Sequence, residues 1–393
     1  MLTFEAFTGI NNLLPEHRMK GNDLIEATDV DIGLTGEITR RCGFTERSGT
    51  CHKNLHDAHG YPVTGFQLAT TGSALVATHP GGAQHVIHPA LGSSRVWYCD
   101  LPDGRTTYTN GLIHGVTDGL VGVDRSVPAP AGLGVPDVAF GELFPGSYRY
   151  HLTHVRLADR LESPAVSSEP IAIGNGGFRL DGLPQLDGHV INVYLSGLDG
   201  EGAYLAGVTV SGNFECTGNN AGLVLPCRTL GAIPFPVGTF TAFWRGRVLT
   251  AVGNVLWACR PSALHLADWR DFKQLAGDIT AIQPVDDGIY VGTDKDLIFL
   301  AGTTWDSLAH VPTKRGPVVP GSGVSAPGDR LKLGDGSGGG AAMLCIAAGE
   351  IVAGFNGGQT SSLTGNRYKT TAAEVCATFR EIDGIHQYVA VPQ

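Results

Sequence analysis

Several patterns that often signal chemistry or membrane insertion are missing from this sequence. No two cysteines have the Cys-x-x-Cys spacing of a zinc ribbon or redox site. No apolar run reaches the length of about 18 residues that indicates a transmembrane helix. The start, MLTFEAFTGINNLLPEHRM, lacks a basic region followed by an apolar one. We therefore expect no membrane insertion and a protein that is made and folded in the cytosol.

Charge is also scarce. Asp, Glu, Lys and Arg make up 16% of the residues, and the formal net charge is −10. An acidic surface repels phosphates, so the chain as a whole is not expected to bind nucleic acid or anionic membranes. Glycine is abundant, with 56 of 393 residues, about twice its usual share of roughly 7%. This composition predicts many turns rather than disorder.

Helical periodicity is nearly absent, and the best candidate for a short helical turn lies within 262–275. Short β-branched or alternating runs dominate instead, and Gly, Asp, Asn or Pro bound them. Three similar hairpins follow one another: GRVLTAVGNVLWACRP, DGIYVGTDKDLIFLAG and LCIAAGEIVAGFNGG. Recurring hairpins of this kind predict an all-β fold, a β-propeller of about five to seven blades.

The middle of the chain has a different pattern. Residues 136–228 contain clean alternation, as in SYRYHLTHVRL, and turn signals that suit six or seven short strands. Such a segment predicts an inserted β-sandwich of the immunoglobulin or fibronectin-III type. The propeller then consists of a first part, 1–135, and a second part, 229–393, that closes the ring of blades. The Gly- and Pro-rich stretch 316–340 is expected to be a long flexible loop within a blade.

Eight cysteines occur in the chain, at positions 42, 51, 99, 216, 227, 259, 345 and 376. Most are expected to be free thiols, and Cys216 with Cys227 is the pair best placed for a disulfide, across a hairpin. The run CHKNLHDAH offers Cys51, His52, His56 and His59 as weak metal-ligand candidates. Their spacing matches no standard zinc motif, so we predict a polar loop, no metal and no cofactor.

Acidic residues are the remaining candidates for chemistry. Asp294 and Asp296 flank Lys295, and most of the other aspartates adjoin glycine. Aspartate is favoured in turns because its side chain bonds the nearby backbone. No Gly-x-Ser-x-Gly motif, calcium loop or sialidase-type repeat is present. We therefore predict a hairpin tip at 294–296 and no enzymatic activity, with a propeller glycosidase kept as an alternative.

Several longer stretches resemble one family of virion proteins. They are FTGINNLLPEHRM, NDLIEATDVDIGLTGEITRRCGFT, VWYCDLPDGRTTYTNGLIHGVTDG, DDGIYVGTDKDLIFLAG and AGEIVAGFNGGQTSSLTGNRY. They lie in both predicted propeller parts. The sequence resembles tailed-phage tail proteins, in particular the tail nozzle, or packaged-DNA stabilisation protein, of short-tailed phages.

The resemblance implies a structural role in the phage tail. Nozzle-type proteins form a ring of copies, here expected to be a hexamer, below the portal and adaptor. Genomic DNA passes through the exit channel without sequence-specific binding. Phe7, Arg40, Arg41, Asp294 and Asp296 are candidates for the assembly interface. The alternative is a tail module that binds carbohydrate or a receptor on the host surface, for which exposed tryptophans would stack on sugars.

Overall fold

The computed structural model describes residues 7–33, 35–41, 43, 46, 48–333, 336–337, 339–382 and 384–393. Within these residues the helices are single 3-10 turns, at Glu16–Arg18, Asn220–Gly222, Gly328–Arg330 and Asn356–Gly358. None of the helices found there is long and apolar enough to cross a membrane. The predicted all-β class is confirmed.

One hairpin and two four-stranded antiparallel sheets form the first part of the chain. The hairpin consists of β1 (Val30–Ile32) and β2 (Ile38–Arg40). The first sheet consists, in spatial order, of β3 (Lys53–Ala58), β4 (Phe66–Thr71), β5 (Ala74–Thr78) and β6 (Gln84–His88). The second sheet consists, again in spatial order, of β7 (Trp97–Asp100), β8 (Thr106–Thr109), β9 (His114–Thr117) and β10 (Gly122–Asp124).

The next nine strands form a separate unit with its own core, called the sandwich below. They are β11 (Val135–Phe140), β12 (Gly146–Tyr148), β13 (Tyr150–Arg156), β14 (Val166–Ser167), β15 (Ile171–Ile173), β16 (Gly176–Asp181), β17 (His189–Ser196), β18 (Ala203–Thr209) and β19 (Asn213–Cys216). The sheets have the orders β14-β13-β17-β18, β11-β16-β19 and β12-β15. Side chains from β13, β16 and β17, among them Leu152, Leu180 and Val193, meet in one buried cluster.

Three more four-stranded sheets and a hairpin follow the sandwich. The strands are β20 (Ala232–Pro234), β21 (Thr239–Trp244), β22 (Arg247–Val252), β23 (Val255–Ala258), β24 (Leu266–Asp268), β25 (Phe272–Gln274), β26 (Ile279–Val285), β27 (Gly288–Thr293), β28 (Leu297–Ala301), β29 (Ala309–Arg315), β30 (Val324–Pro327), β31 (Lys332–Leu333), β32 (Gly336–Ser337), β33 (Ala341–Ala347), β34 (Glu350–Gly354), β35 (Thr360–Ser362), β36 (Val375–Ile382) and β37 (Ile385–Pro392). The third, fourth and fifth sheets have the orders β21-β22-β23-β25, β26-β27-β28-β29 and β30-β33-β34-β35, and β36 pairs with β37 in a terminal hairpin. Short pairs form between β20 and β24 and between β31 and β32.

Consecutive sheets pack face to face through five buried apolar clusters. The clusters join the first sheet to the second, the second to the third, and so on to the fifth sheet and the terminal hairpin. Because both faces of a sheet are covered, strands such as β27 and β28 are almost wholly buried. Such strands read as continuous apolar runs rather than as alternating ones.

The six units surround one cavity. In every sheet of the series an edge strand lies at this centre: β3, β7, β21, β26 and β30, joined by β36 of the terminal hairpin. Four-stranded antiparallel sheets arranged radially in this way have the architecture of a β-propeller. We call these six strands the inner strands.

Three expectations from the sequence are wrong. The stretch 316–340 is not simply a loop, because β30, the inner strand of the fifth sheet, lies within it. Its Gly and Pro residues hid a strand that is only four residues long. Residues 262–275 contain β24 and β25 instead of a helical turn. Cys216 and Cys227 are both free thiols: Cys216 lies in the sandwich core, and Cys227 lies in a separate cluster with Tyr194 and Ala203.

The sandwich is fixed to the propeller by polar contacts. The Nε2 of His265 donates a hydrogen bond to the carbonyl oxygen of Glu162 (2.9 Å). Arg156 reaches the carbonyl oxygen of Ser126 (3.1 Å), and Arg260 that of Arg228 (2.8 Å). These contacts lie near both ends of the inserted segment, so the sandwich has a defined orientation on the propeller.

Candidate functional site: the central cavity and the open face of the sandwich

The acidic residues at 294–296 form the turn between β27 and β28, as predicted. The Oγ1 of Thr293 donates to the Oδ1 of Asp296 (2.7 Å), and the backbone N–H groups of Lys295 and Asp296 donate to the Oγ1 of Thr293. The Nζ of Lys295 donates to the carbonyl oxygen of Ala276 (2.6 Å). The side chain of Asp294 is exposed. These contacts make 294–296 a self-bonded turn, and a role in assembly stays a prediction.

The cysteine–histidine run does not form a polar loop, because residues 53–58 are strand β3. Both ring nitrogens of His52 contact hydroxyls, those of Ser48 (3.0 Å) and Thr71 (2.8 Å). Cys51 is exposed. Among the described residues, no group of three or more His, Cys, Asp or Glu side chains is arranged to hold a metal ion.

His56 and His59 instead converge on one carboxylate of the second sheet. The Nε2 of His56 donates to the Oδ1 of Asp100 (2.9 Å), and the Nε2 of His59 lies 4.0 Å from the same oxygen. Burial raises the pKa of Asp100, but the hydrogen bonds from His56 and Thr106 outweigh it and leave this pKa below its usual value. The two histidines therefore join the first sheet to the second.

The predicted N-terminal interface residues are placed as follows. Of the N-terminal arm, residues 4–41, which is a candidate for contacts between copies, positions 4–6 and 34 lie outside the described residues. The backbone N–H of Phe7 donates to the carbonyl oxygen of Gly36 (2.9 Å). Arg40 is exposed on β2, and Arg41 pairs with Asp31 (3.2 Å). Their role in contacts between copies is untested.

The Gly-Ile-Asn-Asn motif at residues 9–12 helps to hold the N-terminal arm against the segment that follows β35, the last strand of the fifth sheet. The side chain of Asn12 donates to the carbonyl oxygen of Lys369 (2.8 Å) and accepts from its N–H (3.0 Å). Asn11, which is buried, donates to Asp23 (3.0 Å), and Asp23 pairs with Arg367. The sequence contained the motif, but Asn12 and Lys369 are 357 residues apart, so no local pattern predicted their contact.

The inner strands enclose a cavity of about 780 Å³. Since each inner strand is at the edge of its sheet, its outer backbone N–H and C=O groups face the cavity instead of another strand. Cavities of about 300–1,000 Å³ are typical of sites for small molecules. The cavity was not predicted from the sequence.

Arg95 extends across the centre of the ring. Its guanidinium pairs with Glu374 and donates to the carbonyl oxygen of Val375 (2.9 Å), so it joins the start of the second sheet to the terminal hairpin. Gly321, at φ +74°, leaves space for it: a Cβ there would lie 2.0 Å from the Nη2 of Arg95. Glycine is required at this position because the backbone has a positive φ and because a side chain would clash with Arg95.

Both aromatic and polar residues line the cavity. Trp97, Tyr98 and Phe240 contribute aromatic rings, with the Trp97 and Phe240 ring centroids 5.1 Å apart. Lys53, Thr280, Gln283 and the Arg95–Glu374 pair contribute polar groups. The arrangement suits binding of a small molecule with an apolar face and polar edges.

A second candidate site is an exposed apolar strip on the sandwich. Val138 lies opposite the buried Phe178, so it is on the core-facing side of its sheet, yet it is 66% exposed. Phe140 on the same strand is 83% exposed. The edge of β11 is partly blocked, because Pro136 has no N–H and the N–H of Val138 donates to the Oδ1 of Asp137 (2.8 Å). We call Val138 and Phe140, which share one face of β11, the β11 strip.

Comparison with known proteins assigns no family. No family model and no curated protein matches the chain. Solved structures with similar chain paths include a streptogramin B lyase (12% identity, 86% of this chain, 90% of that chain, TM-score 0.33). Another is BamB from Moraxella catarrhalis (12% identity, 90% of this chain, 85% of that chain, TM-score 0.33). A third is virginiamycin B lyase from Staphylococcus aureus (10% identity, 85% of this chain, 92% of that chain, TM-score 0.32). Similarity of this degree assigns no function to the chain.

Proposed function

We propose that the protein is a structural, non-enzymatic subunit of a tailed-phage tail, of the nozzle type, that assembles into a ring below the portal and adaptor. The sequence stretches that resemble the nozzle family lie in the propeller. The sandwich is, in this proposal, an immunoglobulin- or fibronectin-III-like insert that makes contacts between copies.

The β11 strip carries the proposal. An exposed apolar strip on a soluble protein commonly marks a surface that another protein covers. A second group of exposed apolar residues lies around the end of β18 and after β19: Val208, Val210, Val224 and Leu225. β11 and β18 are edge strands of different sheets. Two different surfaces on one module suit head-to-tail contacts, which form a ring when the rotation between neighbouring copies closes.

DNA would pass between copies in this proposal, not through the axis of one propeller. The cavity of about 780 Å³ has the size of a small-molecule site, and Arg95 crosses it. The net charge of −10 provides few phosphate contacts over the surface. Since each such contact adds salt-dependent affinity, an acidic channel wall allows DNA to slide through.

Mass photometry of the purified protein tests this proposal. We expect a closed oligomer for the wild type and loss of that oligomer for Phe140→Asp, because a carboxylate cannot be buried unpaired in an apolar contact. Leu112→Asp is the matched control, since Leu112 is 80% exposed but lies in the turn before β9. A wild type that stays monomeric, or a Phe140→Asp variant that assembles like the control, would contradict it.

A further inference from the structure

The central cavity has unused hydrogen-bonding capacity. The side chains of Lys53 and Gln283 line it, and neither has a hydrogen bond or an ion pair to another described residue. Lys53 is exposed and Gln283 is partly exposed, so both side chains can bond a ligand that enters the cavity.

Three aromatic rings of the cavity lining offer apolar surface, and the planes of Trp97 and Phe240 are inclined to each other by 56°. Trp97, Tyr98 and Phe240 are all partly exposed, although they belong to inner strands. The ring of His56 stacks on Tyr98 at 4.9 Å, and the hydroxyl of Tyr98 donates to the carbonyl oxygen of Asn54 (2.8 Å). These contacts hold the tyrosine ring in place. The negative face of such rings attracts polarised C–H groups.

The charges in the cavity disfavour a purely anionic ligand. Arg95 is already neutralised by Glu374, which leaves Lys53 as the free cation among the described lining residues. Sites for anions instead bring several cations or N–H groups to one point. The amide of Gln283 and the ammonium group of Lys53, beside the carboxylate of Glu374, supply both donors and acceptors, which matches a ligand with many hydroxyls.

We propose that the central cavity binds a mono- or disaccharide. The C–H face of a pyranose ring would lie against the ring of Trp97 or of Phe240. Its hydroxyls would bond the side chains of Gln283 and Lys53, which have no partner among the described residues. The volume of about 780 Å³ has room for such a ligand. This site is independent of ring assembly and requires no contact between copies.

Saturation-transfer NMR with a sugar panel tests the proposal. The probes are glucose, galactose, mannose, N-acetylglucosamine and disaccharides of these sugars, each at about 10 mM, which detects a Kd of about 1 mM, typical of a weak site. We expect at least one to bind, and its affinity to fall about tenfold in Gln283→Ala, the loss expected for about 1.4 kcal/mol. Gln84→Ala, a change of the same residue type on β6 outside the cavity, should bind like the wild type.

Two further measurements separate a lost site from a lost fold. Thermal melts of Gln283→Ala and Lys53→Ala should match the wild type, because neither side chain has a described partner to lose. The proposal is overturned if no sugar of the panel binds to the wild type. It is also overturned if Gln283→Ala and Lys53→Ala both bind as the wild type does, or if inorganic phosphate or sulfate binds and no sugar does.

Discussion

The propeller and the sandwich differ in how completely they bury their apolar side chains. Each propeller sheet has a neighbour on its faces, and five apolar clusters fill the spaces between consecutive units. The sandwich has a core of similar composition, but the core-facing side of β11 stays open. From the first sheet to the terminal hairpin the propeller therefore covers its apolar side chains within one chain, whereas the sandwich presents apolar surface for another molecule. Stability should depend on the first region and assembly on the second.

Truncating a core residue between two propeller sheets should have the largest effect. Leu249 is fully buried between the third and fourth sheets. Leu249→Ala should lower the free energy of unfolding by about 3 kcal/mol, because a cavity forms where packing is tight. Val138→Ala on the β11 strip should change it by less than about 0.5 kcal/mol, as expected at an exposed site. Urea denaturation measures both, and equal effects would contradict the comparison.

Acid should destabilise the propeller through a buried histidine. Burial, assisted by Arg125, lowers the pKa of His114 from its usual 6.5 to about 3. The folded state therefore keeps His114 neutral, while the unfolded chain takes up a proton below pH 6.5. The free energy of unfolding therefore loses nothing to His114 above pH 6.5. Between pH 6.5 and pH 3 it falls by up to about 1.4 kcal/mol per pH unit.

His114→Gln tests this pH dependence, because glutamine can still bond the nearby hydroxyl of Ser126. Urea denaturation from pH 7 to pH 4 should show a shallower loss of stability in this variant. His17→Gln, in the exposed 3-10 turn, controls for removing a histidine. If the free energy of unfolding depends on pH with the same slope in His114→Gln and in the wild type, His114 is not the source of the acid sensitivity.

The polar contact that crosses the ring should contribute less than the apolar clusters. Arg95 and Glu374 are partly exposed, with side-chain exposures of 24% and 48%. Glu374→Gln should therefore lower stability by about 1 kcal/mol or less. Asp329→Asn removes a more exposed carboxylate, beside Arg330 at 3.6 Å, and should have no measurable effect. A thermal melt in which Glu374→Gln costs as much as Leu249→Ala would contradict the ranking.

The parts of the fold that were predictable are those encoded locally. The hairpin tip at 294–296 and the strands beside it follow from turn chemistry and apolar runs within 16 residues, from 287 to 302. Strand β30 was missed because it is short and lies among Gly and Pro residues. Strand β3 was missed because its exposed His and Lys side chains resemble a polar loop, although they line the centre of the ring.

The candidate sites were less predictable because they are assembled from distant segments. The cavity takes a few residues from each of six inner strands or the turns before them, and no single segment shows a pattern. The disulfide expectation failed for a related reason. Cys216 and Cys227 are close in sequence, but they pack into different clusters. Spacing along the chain does not reveal which core a side chain enters.

Single-particle electron microscopy of the purified protein tests the central claim most directly. We expect closed rings in which the β11 strip of each copy is covered by its neighbour and a pore lies between the copies. Particles that are single propellers with an uncovered sandwich, at concentrations where tail proteins assemble, would contradict it.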